Sequence, residues 1–296
     1  MKIGIDSYCY HRQFGEVYPH QMVPSKQLSL EQFVDRAHQL GVDGVSLESC
    51  FFANYSASYL ASIKKLLDGY DLDRVYAWGH PDGLEGGSNP QAYRDMIASF
   101  DRAKQIGAGV MRVVGSSLRF RNEPHEPQLH RLAALFRDAA KTAEQCGIRM
   151  AVENHIDFNS DQMMSLLDAV QSPFLGINFD TGNFLRVLDD PVKGMEKLAS
   201  RVYAAHIKDL KPQEGVAANE WYFFSSVPVG EGLVDNQQVI QLLADAGFDG
   251  VLAVEIDSLH TDYRDEDTAV AQSVTELRRL IGLVQDRPAV SHPAHP

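Results

Sequence analysis

The sequence predicts an α/β protein folded as a single (β/α)8 TIM barrel, and three observations carry the prediction. Short apolar runs alternate with amphipathic helical segments along the chain, four of those segments stop at a glycine that leads into a strand, and several strands end on a charged or imidazole side chain. Apolar strands separated by helices form parallel sheets buried on both faces. Eight such units close into a barrel whose C-terminal rim carries the chemistry. The alternative is an open doubly wound sheet, which places a glycine-rich phosphate loop after its first strand. Ser7-Tyr8-Cys9-Tyr10 stands there instead.

In chain order the predicted strands are Ile3–Ser7, Val45–Glu48, Arg74–Trp78, Val110–Val114, Arg149–Glu153, Gly176–Asp180, Tyr203–His206 and Leu252–Glu255. The helical period is clearest over Phe33–Leu40, Met96–Ile106, Leu132–Cys146 and Val239–Ala246, followed by Gly41, Gly107, Gly147 and Gly247. A glycine at that place supplies the left-handed residue that ends a helix. Three connections are long: Cys9–Gln27, Gly79–Asn89 and Leu210–Val234. All leave the C-terminal rim. The last holds Trp221-Tyr222-Phe223-Phe224 between Gly215 and Gly230-Glu231-Gly232, glycines that can act as hinges. Aromatics on a mobile loop are unfavourable in water unless they cover a ligand or another subunit. The loop is therefore expected to wall a substrate pocket or a homo- or hetero-oligomer interface. Residues 1–285 form the expected catalytic domain, and 286–296 an expected flexible tail, which makes His292 and His295 poor ligands.

Composition excludes more than it identifies. The 44% hydrophobic and 23% charged content is ordinarily globular, and the net charge of −13 argues against a nucleic-acid surface. No apolar run reaches the ~20 residues of a membrane span, and the chain opens on a strand with no signal peptide before it. Cys9, Cys50 and Cys146 are too few and scattered for a disulfide framework or a zinc knuckle. A soluble protein of the reducing cytoplasm is expected.

The chemistry gathers at strand ends. Strands five to eight end in Glu153, Asp180, His206 and Glu255, the first two steps one βα unit apart and the third lengthened by the aromatic loop. Any one acid at a strand end reads as a helix cap or an ion-pair partner. Four together read as one divalent metal site. Three carboxylates and an imidazole are hard and oxygen-rich, so Mn²⁺ is the first choice, with Mg²⁺ or Co²⁺ as alternatives. The two-residue strand period sends His155, Lys208 and Asp257 after Glu153, His206 and Glu255 into the mouth. His155 and Lys208 are read as facing substrate and Asp257 as structural. Asn183 could orient a hydroxyl, while Glu48 and His80 would face the metal from strands two and three.

Val152-Glu153-Asn154-His155, Asp180-Thr181-Gly182-Asn183, His206-Ile207-Lys208-Asp209, Gly230-Glu231-Gly232 and Val254-Glu255 resemble the xylose-isomerase-like superfamily of sugar isomerases and epimerases. The resemblance spans strands two to eight. It implies that Glu153, Asp180, His206 and Glu255 bind a divalent metal and that the two glutamates form the acid/base pair. Endonuclease IV members carry further histidines, whereas strand four here ends in Val113-Val114-Gly115 and Asn183 replaces another. Asn183 also departs from epimerases with a histidine near that position. His155 resembles the dehydratases and carbon-glycoside-cleaving lyases more than the ketose epimerases.

The expectation is an isomerase or epimerase of a sugar or keto-sugar, with proton abstraction α to a polarised carbonyl by Glu153 or Glu255. The alternative on the same scaffold is a lyase, a dehydratase or a carbon-glycoside deglycosidase acting on a 3-keto sugar, with His155 as acid/base. A non-catalytic sugar-binding barrel using Trp221 and the rim aromatics is the third reading.

Overall fold

The computed structural model describes residues 1–285. The expected tail, with His292 and His295, lies outside the described residues. The barrel strands are β1 Lys2–Asp6, β2 Gly44–Glu48, β3 Asp73–Ala77, β4 Val110–Val114, β5 Arg149–Glu153, β6 Leu175–Asp180 and β7 Val202–Ile207. A small pair follows, β8 Asp209–Pro212 and β9 Phe224–Val227, and then the last barrel strand, β10 Val251–Val254. The eight barrel strands close in the order β1, β10, β7, β6, β5, β4, β3, β2, every pair parallel. The chain therefore has the predicted barrel, with strand limits displaced by at most one residue.

The helices are α1 Leu30–Gln39, α2 Ala57–Gly69, α3 Pro90–Gln105, α4 His125–Cys146, α5 Ser160–Val170, α6 Thr181–Arg186, α7 Pro191–Leu198, α8 Asn236–Asp245 and α9 Glu266–Gln285. Several begin earlier than apolar periodicity predicts, because caps and not apolar residues define their first turns. Ser29 and Gln32 form a reciprocal capping box, and Asn89 accepts from the amides of Gln91 and Ala92 with Pro90 at the first position. At the other ends the predicted glycines hold left-handed conformations, Gly147 at φ 68° among them.

Two apolar layers result. The larger lies between the strands and the helices and includes Phe33, Phe100, Phe136 and Phe179. A separate cluster of Val75, Val110, Ala151 and Ala204 is small. By the two-residue period, Val110, Ala151 and Ala204 share a strand face with Arg112, Glu153 and His206. The barrel interior is thus apolar at its base and ionic at its mouth.

Part of the long connection after β7 is ordered. Asp209–Pro212 pairs antiparallel with Phe224–Val227, a hairpin too short and too mixed in composition to announce itself. Two of the glycines beyond it, Gly230 and Gly232, have a second use. The Asp209 carboxylate accepts from the amides of Gly230 and Gly232 at 2.9 Å and of Leu210 and Val234 at 3.0 Å. A Cβ on Gly232 would stand 2.1 Å from Asp209 Oδ1, so that residue is glycine to let the backbone close around the carboxylate. Among the described residues no helix is long and apolar enough to cross a membrane.

Candidate metal centre

The four strand-end residues converge. Glu153, Asp180, His206 and Glu255 are buried, and each offers a donor atom within 4.8 Å of the others. His206 Nδ1 lies 2.5 Å from Glu255 Oε2, 3.3 Å from Glu153 Oε1 and 3.7 Å from Asp180 Oδ2. Glu255 Oε2, Asp180 Oδ2 and both His206 ring nitrogens have no hydrogen bond of proper geometry, although they are buried. Buried polar atoms are nearly always hydrogen-bonded. A convergent set that is not, with one imidazole and three carboxylates, fits a hard divalent cation. These four could hold one.

Asp180 joins the two readings of a strand-end acid. Its Oδ1 caps α6, accepting from Gly182 N at 2.9 Å and Asn183 N at 2.8 Å, which leaves Oδ2 toward the cluster. Asn154 fixes the strand end behind it: its side chain donates to the Asp180 carbonyl and accepts the Asp180 amide, both at 2.9 Å.

Two residues that strand-end reading passed over complete the surroundings. Asp6, at the end of β1, places Oδ2 3.2 Å from His206 Nε2. Arg112, on β4, lies with Nε 3.0 Å from Glu153 Oε2, pairs through Nη2 with Glu48, and donates to the Trp78 carbonyl at 3.3 Å. Asp6 carries the same signature as the four selected residues. Arg112 is betrayed by being the one charge in an otherwise apolar strand, on the face of Val110 and Val114.

These contacts set the protonation states. Burial would raise Glu153, but Arg112 and His206 beside it hold the carboxyl well below the usual range. Burial pushes Glu48 well up, against the opposing pull of Arg112. His155 is lowered by burial, more than Glu153 restores, and its Nδ1 is buried without a partner. It is a neutral imidazole. Burial alone would lower Lys208, yet Asp180, Asp257 and Glu255 hold it well above its ordinary value. Its Nζ sits 2.9 Å from Asp180 Oδ2, 3.2 Å from Glu255 Oε1 and 3.1 Å from Asp257 Oδ2.

Asp257 faces Arg186, an α6 residue that sequence reading did not select. Arg186 donates from Nη1 to Asp257 Oδ2 at 2.5 Å and from Nη2 to Oδ1 at 2.8 Å, and from Nη1 to Asn183 Oδ1 at 3.2 Å. The cluster opens on a cavity of about 460 Å³ whose lining includes His155, Lys208, Asn183, Glu48, His80 and Trp221. Trp221 is half-buried and edge-on to Tyr18 and His20, with the Arg186 guanidinium 5.2 Å from its ring centre. His80 is half-buried and stacked on Trp78.

Comparison with known proteins agrees with this fold. The family described as xylose isomerase-like TIM barrel matches over residues 34–280. A 3-oxo-isoapionate decarboxylase of Pectobacterium atrosepticum is 26% identical over 245 residues, which cover 82% of this chain and 81% of the relative. An inosose dehydratase of Bacillus thuringiensis is 24% identical over 215 residues, covering 65% of this chain and 72% of the relative. Among solved structures, a D-tagatose 3-epimerase-like protein superposes with a TM-score of 0.73 at 17% identity, over 97% of this chain and 99% of the other.

Proposed function

The chain belongs to the xylose isomerase-like TIM barrel family, and from that premise we propose that it is a divalent-metal-dependent isomerase or epimerase of a keto-sugar. The observation that carries the reading is the junction of the four-ligand cluster with a rim cavity also lined by His155, whose buried Nδ1 has no partner. Glu153, Asp180, His206 and Glu255 would hold the metal, with Mn²⁺ the first choice and Mg²⁺ or Co²⁺ as alternatives. Bound there, the metal supplies Lewis-acid polarisation of the substrate carbonyl.

The chain's own groups then divide the proton work. Arg112 occupies one oxygen of Glu153 and lowers its basicity, so Glu255 is the better placed to accept the proton α to the carbonyl. His155 holds or returns a proton from the side of the cavity it lines. Lys208 and Asn183 orient substrate hydroxyls, while His80, Glu48 and Trp221 bound the far wall. Return of the proton to the opposite face of the same carbon gives an epimer, and transfer to the neighbouring carbon gives an isomer.

His155 also favours a second reading. If it takes the α-proton as base and then delivers that proton to a departing β-hydroxyl, the products are water and an unsaturated sugar, and the enzyme is a lyase. Names of relatives ending in dehydratase and decarboxylase support keeping it. The test is incubation of metal-loaded protein with a keto-sugar panel in D₂O. Deuterium at the α carbon without loss of water supports the isomerase, and an α,β-unsaturated product supports the lyase. Absence of both across the panel, with metal bound, would overturn the proposal.

A further inference from the structure

The cavity at the metal centre has a neighbour on the C-terminal rim that the metal-centre side chains do not line. The second, about 510 Å³, lies beyond Arg186 and Trp221, which line both. One turn after β5 serves the two: His155 and Ile156 line the first cavity and Asp157 the second. Ile156 is left-handed, at φ 56°, a conformation that strains a β-branched residue and is held only where the surroundings impose it.

Asp157 is 4% exposed. Its Oδ1 accepts from the amides of His155 at 2.9 Å and Phe158 at 2.7 Å, while Oδ2 is buried with no partner. Such an oxygen calls for a hydrogen-bonding ligand. In the same lining, Gln162 Nε2 meets His125 Nδ1 at 2.6 Å, and Val187, Leu188 and Phe224 add apolar wall. Leu188 is 86% exposed and itself left-handed, so a large side chain is held toward solvent at the lip of this cavity.

We propose that the second cavity is a substrate lobe that takes an uncharged, hydroxyl-bearing ring joined to the sugar at the metal centre. The inference rests on the keto-sugar reading of the first cavity and narrows its substrate class to sugars carrying a second ring. Charge argues against a phosphate. The Arg186 guanidinium is committed to Asp257, Arg121 donates to the Asn219 carbonyl at 3.3 Å, and Glu220 lines the lobe. Mixed apolar walls with a few convergent polar atoms suit a ring with hydroxyls on its edge. The two volumes together reach the upper end of the roughly 300–1,000 Å³ range of small-molecule sites, more than one sugar ring needs.

The experiment uses Mn²⁺-loaded protein for α-carbon deuterium exchange and Mg²⁺-loaded protein for saturation-transfer NMR. The probes are 3-keto-glucose, 3-keto-cellobiose, a phenyl 3-keto-glucoside and 3-keto-glucose 6-phosphate. The expected result is a kcat/KM for 3-keto-cellobiose about tenfold above that for 3-keto-glucose, with the second ring's protons saturated. Preference for the phenyl compound over the disaccharide overturns the hydroxyl-bearing ring. Asp157→Asn and Gln162→Ala should each cut the two-ring to one-ring ratio about tenfold. Equal kcat/KM values for all probes, a preference for the phosphate, or no saturation of the second ring overturns the lobe. Saturation without any exchange sustains the lobe and refutes the proposed reaction instead.

Discussion

Replacing Arg112 with Met should expose how strongly the mouth of the barrel depends on one cation. Arg112 is 6% exposed and lies between two carboxylates, Glu153 at 3.0 Å and Glu48. Methionine fills much of the same volume, so the loss is mainly electrostatic. At 3.0 Å and an effective dielectric near 20, one such attraction is about 5 kcal/mol before desolvation. Removing one partner of a buried pair costs about 3–5 kcal/mol, because the remaining charge is uncompensated. Glu153 retains His206 at 3.3 Å, whereas Glu48 has Arg112 as its ion-pair partner among the described residues. Most of the loss should therefore trace to Glu48, and the double variant Arg112→Met/Glu48→Gln should recover more than half of it. Urea unfolding at pH 7 of the two single variants, the double variant and the parent measures the cycle. A loss below about 1 kcal/mol for Arg112→Met, or no recovery in the double variant, would refute the reasoning.

Two further predictions concern neighbours of the cluster. Asp6→Asn should weaken Mn²⁺ or Co²⁺ binding about 10–100-fold by equilibrium dialysis, because it removes the negative charge 3.2 Å from His206 Nε2, behind the ring edge that faces the cluster. The Co²⁺ visible spectrum should shift with it, and an unchanged affinity would remove Asp6 from that role. Burial pushes the Asp157 carboxyl up to about 7, with the His155 and Phe158 amides pulling it back. The folded chain then keeps a proton that the unfolded chain releases near pH 4, so this group's contribution to stability falls as pH rises from about 4 to about 7 and is flat above. Asp157→Asn removes that loss. Relative to the parent it should gain about 3 kcal/mol in urea unfolding between pH 5 and pH 8, and identical pH slopes would contradict the assignment.

The barrel was legible because each βα unit repeats one local grammar: a capped helix, a terminating glycine, a short apolar strand, a polar strand end. Gly41, Gly107, Gly147 and Gly247 punctuate it, and all four are left-handed in the structure. Helix starts were less legible, since Ser29 and Asn89 act through hydrogen bonds that leave no apolar period. At the site, the strand ends of β5 to β7 and the residue after β10 stood out by chemical type. Asp6 has the same type and position but precedes a turn with no companion motif. Arg112 was hidden because its strand otherwise reads as core, and a buried arginine is intelligible only once Glu48 and Glu153 are seen on either side. Arg186 was hidden differently. It sits on a six-residue helix, and its partner Asp257 is 71 residues away. The aromatic loop hid one feature, because Gly230 and Gly232 serve the Asp209 carboxylate, a long-range need that no local pattern records.

The arithmetic of buried charge explains why the mouth is built from these residues together. Asp6, Glu48, Glu153, Asp180, Glu255 and Asp257 are buried there, and Arg112, Arg186 and Lys208 are the buried cations set against them. Six acids against three bases leave three negative charges, and burial pushes the Glu48 carboxyl up, which makes that charge the hardest to keep. Isolated buried charges are too unfavourable to persist, so the excess must be met by protons or by a cation. His206 shows the first solution. Although burial opposes it, Glu255 and Glu153 raise its proton affinity well above the ordinary value. A divalent ion is the second solution, and it requires His206 to give that proton up. Arg112 and Lys208 set the size of the excess. With fewer cations the acids would be neutralised by protons and lose their affinity for metal, and with more they would be paired and unavailable. The buried bases of this barrel are thus as much a part of the candidate metal centre as the four residues that could touch the ion.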